Sequence, residues 1–182
     1  METIKAFLKR KDIQISARRY GIDALGAMAQ GLFCSLLIGT ILDTLGTQLG
    51  LEILSTVGGY ASAMSGPAMA IAIGYALKAP PLVLFSLATV GYAANALGST
   101  TLDGGAGAGG PLAVLFIAVI AAEIGKAVSK ETKIDILVTP LATILVGVGL
   151  SAWWAPAIGT AATAVGNIIM WATELQPFLM GI

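Results

Sequence analysis

RYGIDALGAMAQGLFCSLLIGTILD, residues 19–43, is the stretch that decides the fold. From Ala24 to Leu42 it carries no charge. A helix over 22–42 would be about 30 Å long, the thickness of a bilayer's hydrocarbon core. The run is too long for the ~7–15-residue core of a secretory signal, and the small-residue triplet Ala27-Met28-Ala29 lies inside it rather than after it. It reads as a first membrane span retained in the protein. Residues 1–20 ahead of it form a basic segment: Ile4, Phe7 and Leu8 make an apolar edge beside Lys5, Lys9, Arg10 and Lys11. That pattern predicts an amphipathic helix lying at the membrane interface, not a nucleic-acid contact.

Working outward, further apolar segments follow at 51–77, 81–98, 104–125, 136–152 and 156–173. All ten Lys and Arg fall in three places: residues 5–19, Lys78, and residues 126–133. The alternate connections hold only acids (Asp43 and Glu52, then Asp103) or, at Trp153-Trp154, no charge. This is the segregation that the positive-inside bias leaves on a multispanning protein. It predicts an all-α polytopic membrane protein of about six transmembrane or partly re-entrant helices. The N-terminus, Lys78 and Lys130 would be cytoplasmic, Glu52, Asp103 and Trp153 outside, and the chain would return inside near Glu174. Residues 21–182 would be one transmembrane domain.

Composition agrees. Of the 182 residues 57% are hydrophobic and 11% charged, whereas a soluble domain carries about 25% charged residues. There is no histidine, which excludes a His base, a His metal ligand or a phosphohistidine on this chain. The single cysteine, Cys34, sits among Leu32, Phe33, Leu36 and Leu37 and reads as a neutral buried thiol. No zinc spacing occurs. No catalytic residue, metal or cofactor is expected.

Stripes of small residues at i+4 spacing, Ala27-Gly31-Ser35-Gly39 and Thr139-Thr143-Gly147-Ser151, predict close helix packing. Arg19 and Asp23, four apart, read as a local pair. Gly66-Pro67, Gly110-Pro111 and Ala155-Pro156 read as helix starts, since proline suits the first turn. About 20 residues counted back from Lys78 and from Lys126 place the first two below the outer surface. Irregular backbone at that depth needs cover from protein or a water-filled cavity. The run Gly104-Gly-Ala-Gly-Ala-Gly-Gly110 is then either a connector or a backbone cradle for ligand oxygens. The candidate pocket is Asp103, Gly104, Gly105, Gly107, Gly109 and Gly110, bordered by Ser65 and Asn95. Glu123, within the same span as its start, is either an ion-pair partner of Lys126 or a proton- or substrate-handling group. Trp153, Trp154 and Trp171 fit interfacial belts.

Three stretches carry a family resemblance: Arg19–Phe33, Gly104–Phe116 with its Gly-Gly-Ala-Gly-Ala-Gly-Gly-Pro, and Lys130-Glu-Thr-Lys-Ile-Asp-Ile-Leu-Val-Thr-Pro140. From about Arg18 onward the chain resembles the EIIC-like membrane proteins of the bacterial phosphotransferase system, in the PfoR-type toxin-regulator branch. The resemblance implies the bacterial inner membrane and a path for a small polar solute, a sugar above all. It implies cytoplasmic EIIA and EIIB proteins as the phosphoryl carriers, and a homo-oligomer. Members of the family are about twice as long, so the chain reads as an N-terminal half or a short form, with Phe178–Ile182 opening another apolar segment. The acidic and histidine substrate contacts of sugar EIIC proteins have no match here, so no binding residue carries over. A ligand-sensing regulator without transport and a structural subunit of a larger complex are the alternatives.

Overall fold

The structure, a computed structural model, describes residues 2–13, 16–131 and 133–175. Among these it is all-α. Helix α1 (Glu2–Arg10) precedes α2 (Arg19–Leu49), α3 (Glu52–Ala63), α4 (Ser65–Ala76), α5 (Pro81–Gly98), α6 (Gly110–Val128) and α7 (Asp135–Leu175). Among the described residues α2, α5, α6 and α7 up to Trp171 are each long and apolar enough to cross a membrane. The polytopic expectation holds. Phe178–Ile182, read above as the start of another segment, lies outside the described residues.

α2 is 31 residues long and includes two π-helical turns, Arg19–Asp23 and Phe33–Leu37. It extends past the turn expected at Asp43, and within the continued helix Thr44 and Thr47 return their hydroxyls to the carbonyls of Thr40 and Asp43. Gly50, at φ 67°, ends it in the left-handed conformation that glycine accepts without strain. Asp43 is therefore inside the helix, and its carboxylate takes the Ser55 hydroxyl across the hairpin.

The next segment folds back along α2 in two pieces. α3 packs on the far half of α2 and α4 on its near half. Met64 breaks the helix three residues before Pro67, so the interruption expected there is real. Close approach is glycine's work, as the stripe predicts. A Cβ at Gly31 would lie 2.6 Å from the Ala68 carbonyl oxygen, and one at Gly58 would lie 2.6 Å from the Gly39 carbonyl oxygen. Cys34 turns away from this contact and is exposed, which corrects the buried reading. One residue along a helix rotates ~100°, enough to move Cys34 off the packed face that holds Ser35 and Gly31.

α4, α5 and α6 pack in series, and α7 lies against both α5 and α6. The core they share includes Met69, Ile73, Leu87, Val90, Val114 and Ile117. The largest departure from expectation is α7 itself. The two segments expected at 136–152 and 156–173 are one helix of 41 residues, and Pro140 and Pro156 lie within it. Trp153 and Trp154 are side chains on its exposed face rather than a turn, with ring centroids 6.5 Å apart. Proline removes one backbone hydrogen bond but does not end an apolar helix that neighbours hold in place. The Thr139, Thr143 and Ser151 hydroxyls of the second stripe are fully buried and bond within α7.

Candidate functional site

The candidate residues separate into two groups at opposite ends of the bundle. At one end, Ser65 opens α4, Asn95 lies in the last turn of α5, and Gly110 opens α6. The Asn95 amide donates to the Ser65 hydroxyl at 3.4 Å. A Cβ at Gly110 would sit 2.6 Å from Asn95 Oδ1. Gly66 and Gly91 touch backbone to backbone just beneath, which draws α4 onto α5. A broken span and a helix start therefore meet at one amide side chain.

The glycine run between α5 and α6 forms a small hairpin. Thr101 N–H donates to the Gly105 carbonyl and Gly107 N–H to the Ser99 carbonyl, at 2.9 and 2.8 Å. Gly104 and Gly105 donate to the carbonyl and hydroxyl of Thr101. Two more amides cross to α7: Leu102 N–H to the Thr160 hydroxyl at 3.0 Å and Ala108 N–H to the Thr163 hydroxyl at 3.2 Å. Those hydroxyls in turn donate to carbonyls one turn earlier, of Pro156 and Gly159. The amides of Gly104, Gly105, Gly107 and Ala108 are thus engaged inside the protein, which leaves Asn95 and Ser65 as the polar groups turned toward one another. Asp103, Gly104 and Gly105 are exposed at the loop tip. Gly109 is packed so tightly on α7 that a Cβ would meet Gly159 Cα at 2.6 Å, and one at Gly107 would meet the Thr100 carbonyl at 3.0 Å. These glycines are demanded by packing.

Glu123 is not part of this group. It lies at the other end of α6, where the N-terminal segment closes the bundle. Lys126, with 1% of its side chain exposed, is 3.1 Å from Glu123 Oε2 and donates to the carbonyls of Asp12 and Leu77 at 2.8 and 3.0 Å. The Glu123–Lys126 contact is an ion pair without hydrogen-bond alignment, for Oε2 has no hydrogen-bond donor while Oε1 accepts from Tyr20. Arg19 reaches Asp12 and the Leu77 carbonyl, each at 2.8 Å, in place of the Asp23 pairing expected from spacing. Asp12, Tyr20 and the Leu77 carbonyl are partners that spacing within one helix could not reveal. Farther out, Arg10 and Lys11 share Glu131 at 2.7 and 2.6 Å. The Arg19 guanidinium holds the Asp12 carboxyl below its ordinary range, and the Lys11 ammonium does the same for Glu131. The basic segment is therefore bound to the bundle by named contacts rather than by amphipathicity alone.

Two cavities lined largely by charged residues, about 340 and 250 Å³, open at this basic end. The cavity that reaches the glycine loop through Ala108, about 530 Å³, is an apolar groove between α6 and α7. Among the described residues no group of His, Cys, Asp or Glu could hold a metal.

Residues 22–182 match the family described as Phosphotransferase system, EIIC. No curated protein and no solved structure matches the chain.

Proposed function

The chain belongs to the phosphotransferase system EIIC family, and we propose that within a permease of that system it supplies part of the path and binding pocket for a small polar solute, a sugar above all. Family membership makes it a membrane component that works with other phosphotransferase proteins. The phosphoryl chemistry belongs to those partners, the EIIA and EIIB types, in keeping with the absence of histidine here. The observation that carries the pocket is the meeting of Ser65, Asn95 and Gly110 where one span breaks and another helix begins. Broken spans that bring helix ends and a few polar groups together within an apolar bundle are a recurrent device for solute sites. Residues 21–182 act as one transmembrane domain in the bacterial inner membrane. The basic end faces the cytoplasm, as the segregation of Lys and Arg supports. A homo-oligomer covers part of the apolar surface.

Proteoliposome uptake across a sugar panel, with and without cytoplasmic phosphotransferase proteins, tests this reading. Asn95→Ala and Ser65→Ala should raise the solute Kd tenfold or more while the protein stays monodisperse. Unchanged affinity in both variants would remove the pocket from this junction. Ligand binding without uptake by the wild type would favour a sensing role.

A further inference from the structure

The basic end holds more positive charge than its own contacts use. The cavity of about 340 Å³ there is lined by five cations, Arg10, Lys11, Lys78, Lys126 and Lys130. Only two carboxylates, Asp12 and Glu131, line it with them, and with Glu123, the partner of Lys126, counted as well the formal excess is two positive charges. Arg10 and Lys11 are engaged by Glu131, and Lys126 by Glu123 and two carbonyls. Lys78 and Lys130 are different. Both are exposed, and neither ammonium has a hydrogen-bond or ion-pair acceptor among the described residues. Both occupy turn positions at positive φ, 56° and 61°. One stands at the α4–α5 turn and the other just after α6, yet both line the same cavity. Lys78 also lines the neighbouring cavity of about 250 Å³ with Arg18, Arg19 and Asp23.

Like charges converging on one void repel each other unless an anion lies between them. We infer that this cavity seats a phosphate-bearing anion, held by Lys78 and Lys130 with the buried Lys126 ammonium behind. Lysine binds phosphate as a point charge and needs no particular approach angle, which suits two side chains arriving from separate turns. The cavity lies where the apolar part of α6 ends, and in a bilayer that α6 spans this is the level of the headgroups. A lipid phosphodiester and a free phosphate present the same chemistry there. A zwitterionic choline headgroup would bring its own cation into the excess and is disfavoured.

The test uses the full chain purified in a neutral maltoside detergent. Native mass spectrometry measures retention of phosphatidylglycerol against phosphatidylcholine, and calorimetry measures binding of inorganic phosphate. Two charges are removed in Lys78→Gln/Lys130→Gln. Lys133→Gln is the control, since Lys133 is an exposed cation at the same end but does not line the cavity. A charge near an anionic surface contributes roughly fivefold in affinity, so the double variant should lower anionic-lipid preference roughly tenfold or more, with Lys133→Gln unchanged. Phosphate binding lost in the double variant, with no lipid preference in the wild type, would assign the seat to a soluble source. Binding of neither ligand by the wild type would overturn the inference. So would a double variant that binds as the wild type does, or a loss in Lys133→Gln equal to that in the double variant. Size-exclusion profiles check folding, and Lys78→Gln or Lys130→Gln alone replaces the double variant if that misfolds.

Discussion

Replacing Lys126 by methionine keeps the aliphatic stem and removes only the ammonium, so the loss can be worked contact by contact. Glu123, 14% exposed, would keep the Tyr20 hydroxyl at 3.1 Å but lose its counter-charge. The Leu77 carbonyl would keep Arg19 as a donor at 2.8 Å, whereas the Asp12 carbonyl would lose Lys126. Stripping one partner from a buried ion pair costs about 3–5 kcal/mol, and one lost hydrogen bond to a carbonyl about 0.5–1.5 kcal/mol. The two overlap, and Lys126→Met should cost about 4 kcal/mol. Glu123→Gln should be milder, about 1–2 kcal/mol, because Lys126 keeps two carbonyl acceptors and Tyr20 keeps an amide oxygen. The double variant buries no unpaired charge and should recover about 2 kcal/mol of the summed loss. Unfolding followed by circular dichroism in detergent measures all four proteins. Single losses that add to within about 0.5 kcal/mol would refute the pairing. Equal single losses would refute the asymmetry, and with it the role given to the two carbonyls.

Other outcomes follow from named contacts. Gly91→Ala forces a methyl into the Gly66 backbone and should cost about 1–3 kcal/mol by overpacking, while Gly59→Ala meets nothing within 4 Å and should be neutral or stabilising by up to about 1 kcal/mol; unfolding midpoints of the two should move in opposite directions or differ by that margin. Asp12 and Glu131 have carboxyls held below their ordinary range, so their contribution to docking α1 is present above about pH 4 and is lost as pH falls through the lowered values. Exchange protection in residues 2–13, taken relative to the intrinsic rate at each pH, should therefore fall on acidification below pH ~4 and stay flat between pH ~5 and 8. Impermeant thiol labelling in a Cys34→Ser background should reach a cysteine at 103 from outside and one at 130 only after permeabilisation; the reverse pattern would invert the topology. A Gly109→Val substitution should lower stability as well as any solute binding, since its side chain meets the Gly159 backbone; normal melting would contradict the packing described.

The class of fold was legible because the bilayer leaves its imprint on composition, segment length and the placement of lysine and arginine. Helix contacts made by glycine were legible for the same reason, since Gly31 and Gly39 repeat at one face. What spacing misplaced were the ends of helices. Pro156 looked like a start because a proline at N1 and a proline inside a supported helix are the same residue in sequence; only the packing of α7 on α5 and α6 distinguishes them. Asp43 looked like a turn because a charge beside an apolar run usually marks its edge, yet a hydroxyl on the opposing helix gives it a partner on the exposed side of the hairpin. The candidate site divided similarly. Ser65, Asn95 and Gly110 converge as their positions near breaks suggested. Glu123 does not join them, because ~18 Å of helix separates it from Pro111. Its true neighbours, Tyr20 and, through Lys126, Asp12, come from a segment more than a hundred residues earlier, beyond any local pattern.

The two threonines that receive the glycine loop's amides also set a schedule. Leu102 and Ala108 are made long before Thr160 and Thr163, the residues whose hydroxyls they use in the finished protein. While the chain emerges from the ribosome, α5 and α6 can enter the bilayer with the loop between them still lacking those two acceptors. In a nascent chain the hairpin therefore stays wet, or depends on a surrogate, until α7 slides into place and Gly109 meets Gly159. The loop beside the Asn95 junction therefore gains its last contacts from a helix synthesised after those that form the junction. A truncation before Thr160 would thus leave an inserted set of helices whose glycine loop had never met its two threonine acceptors.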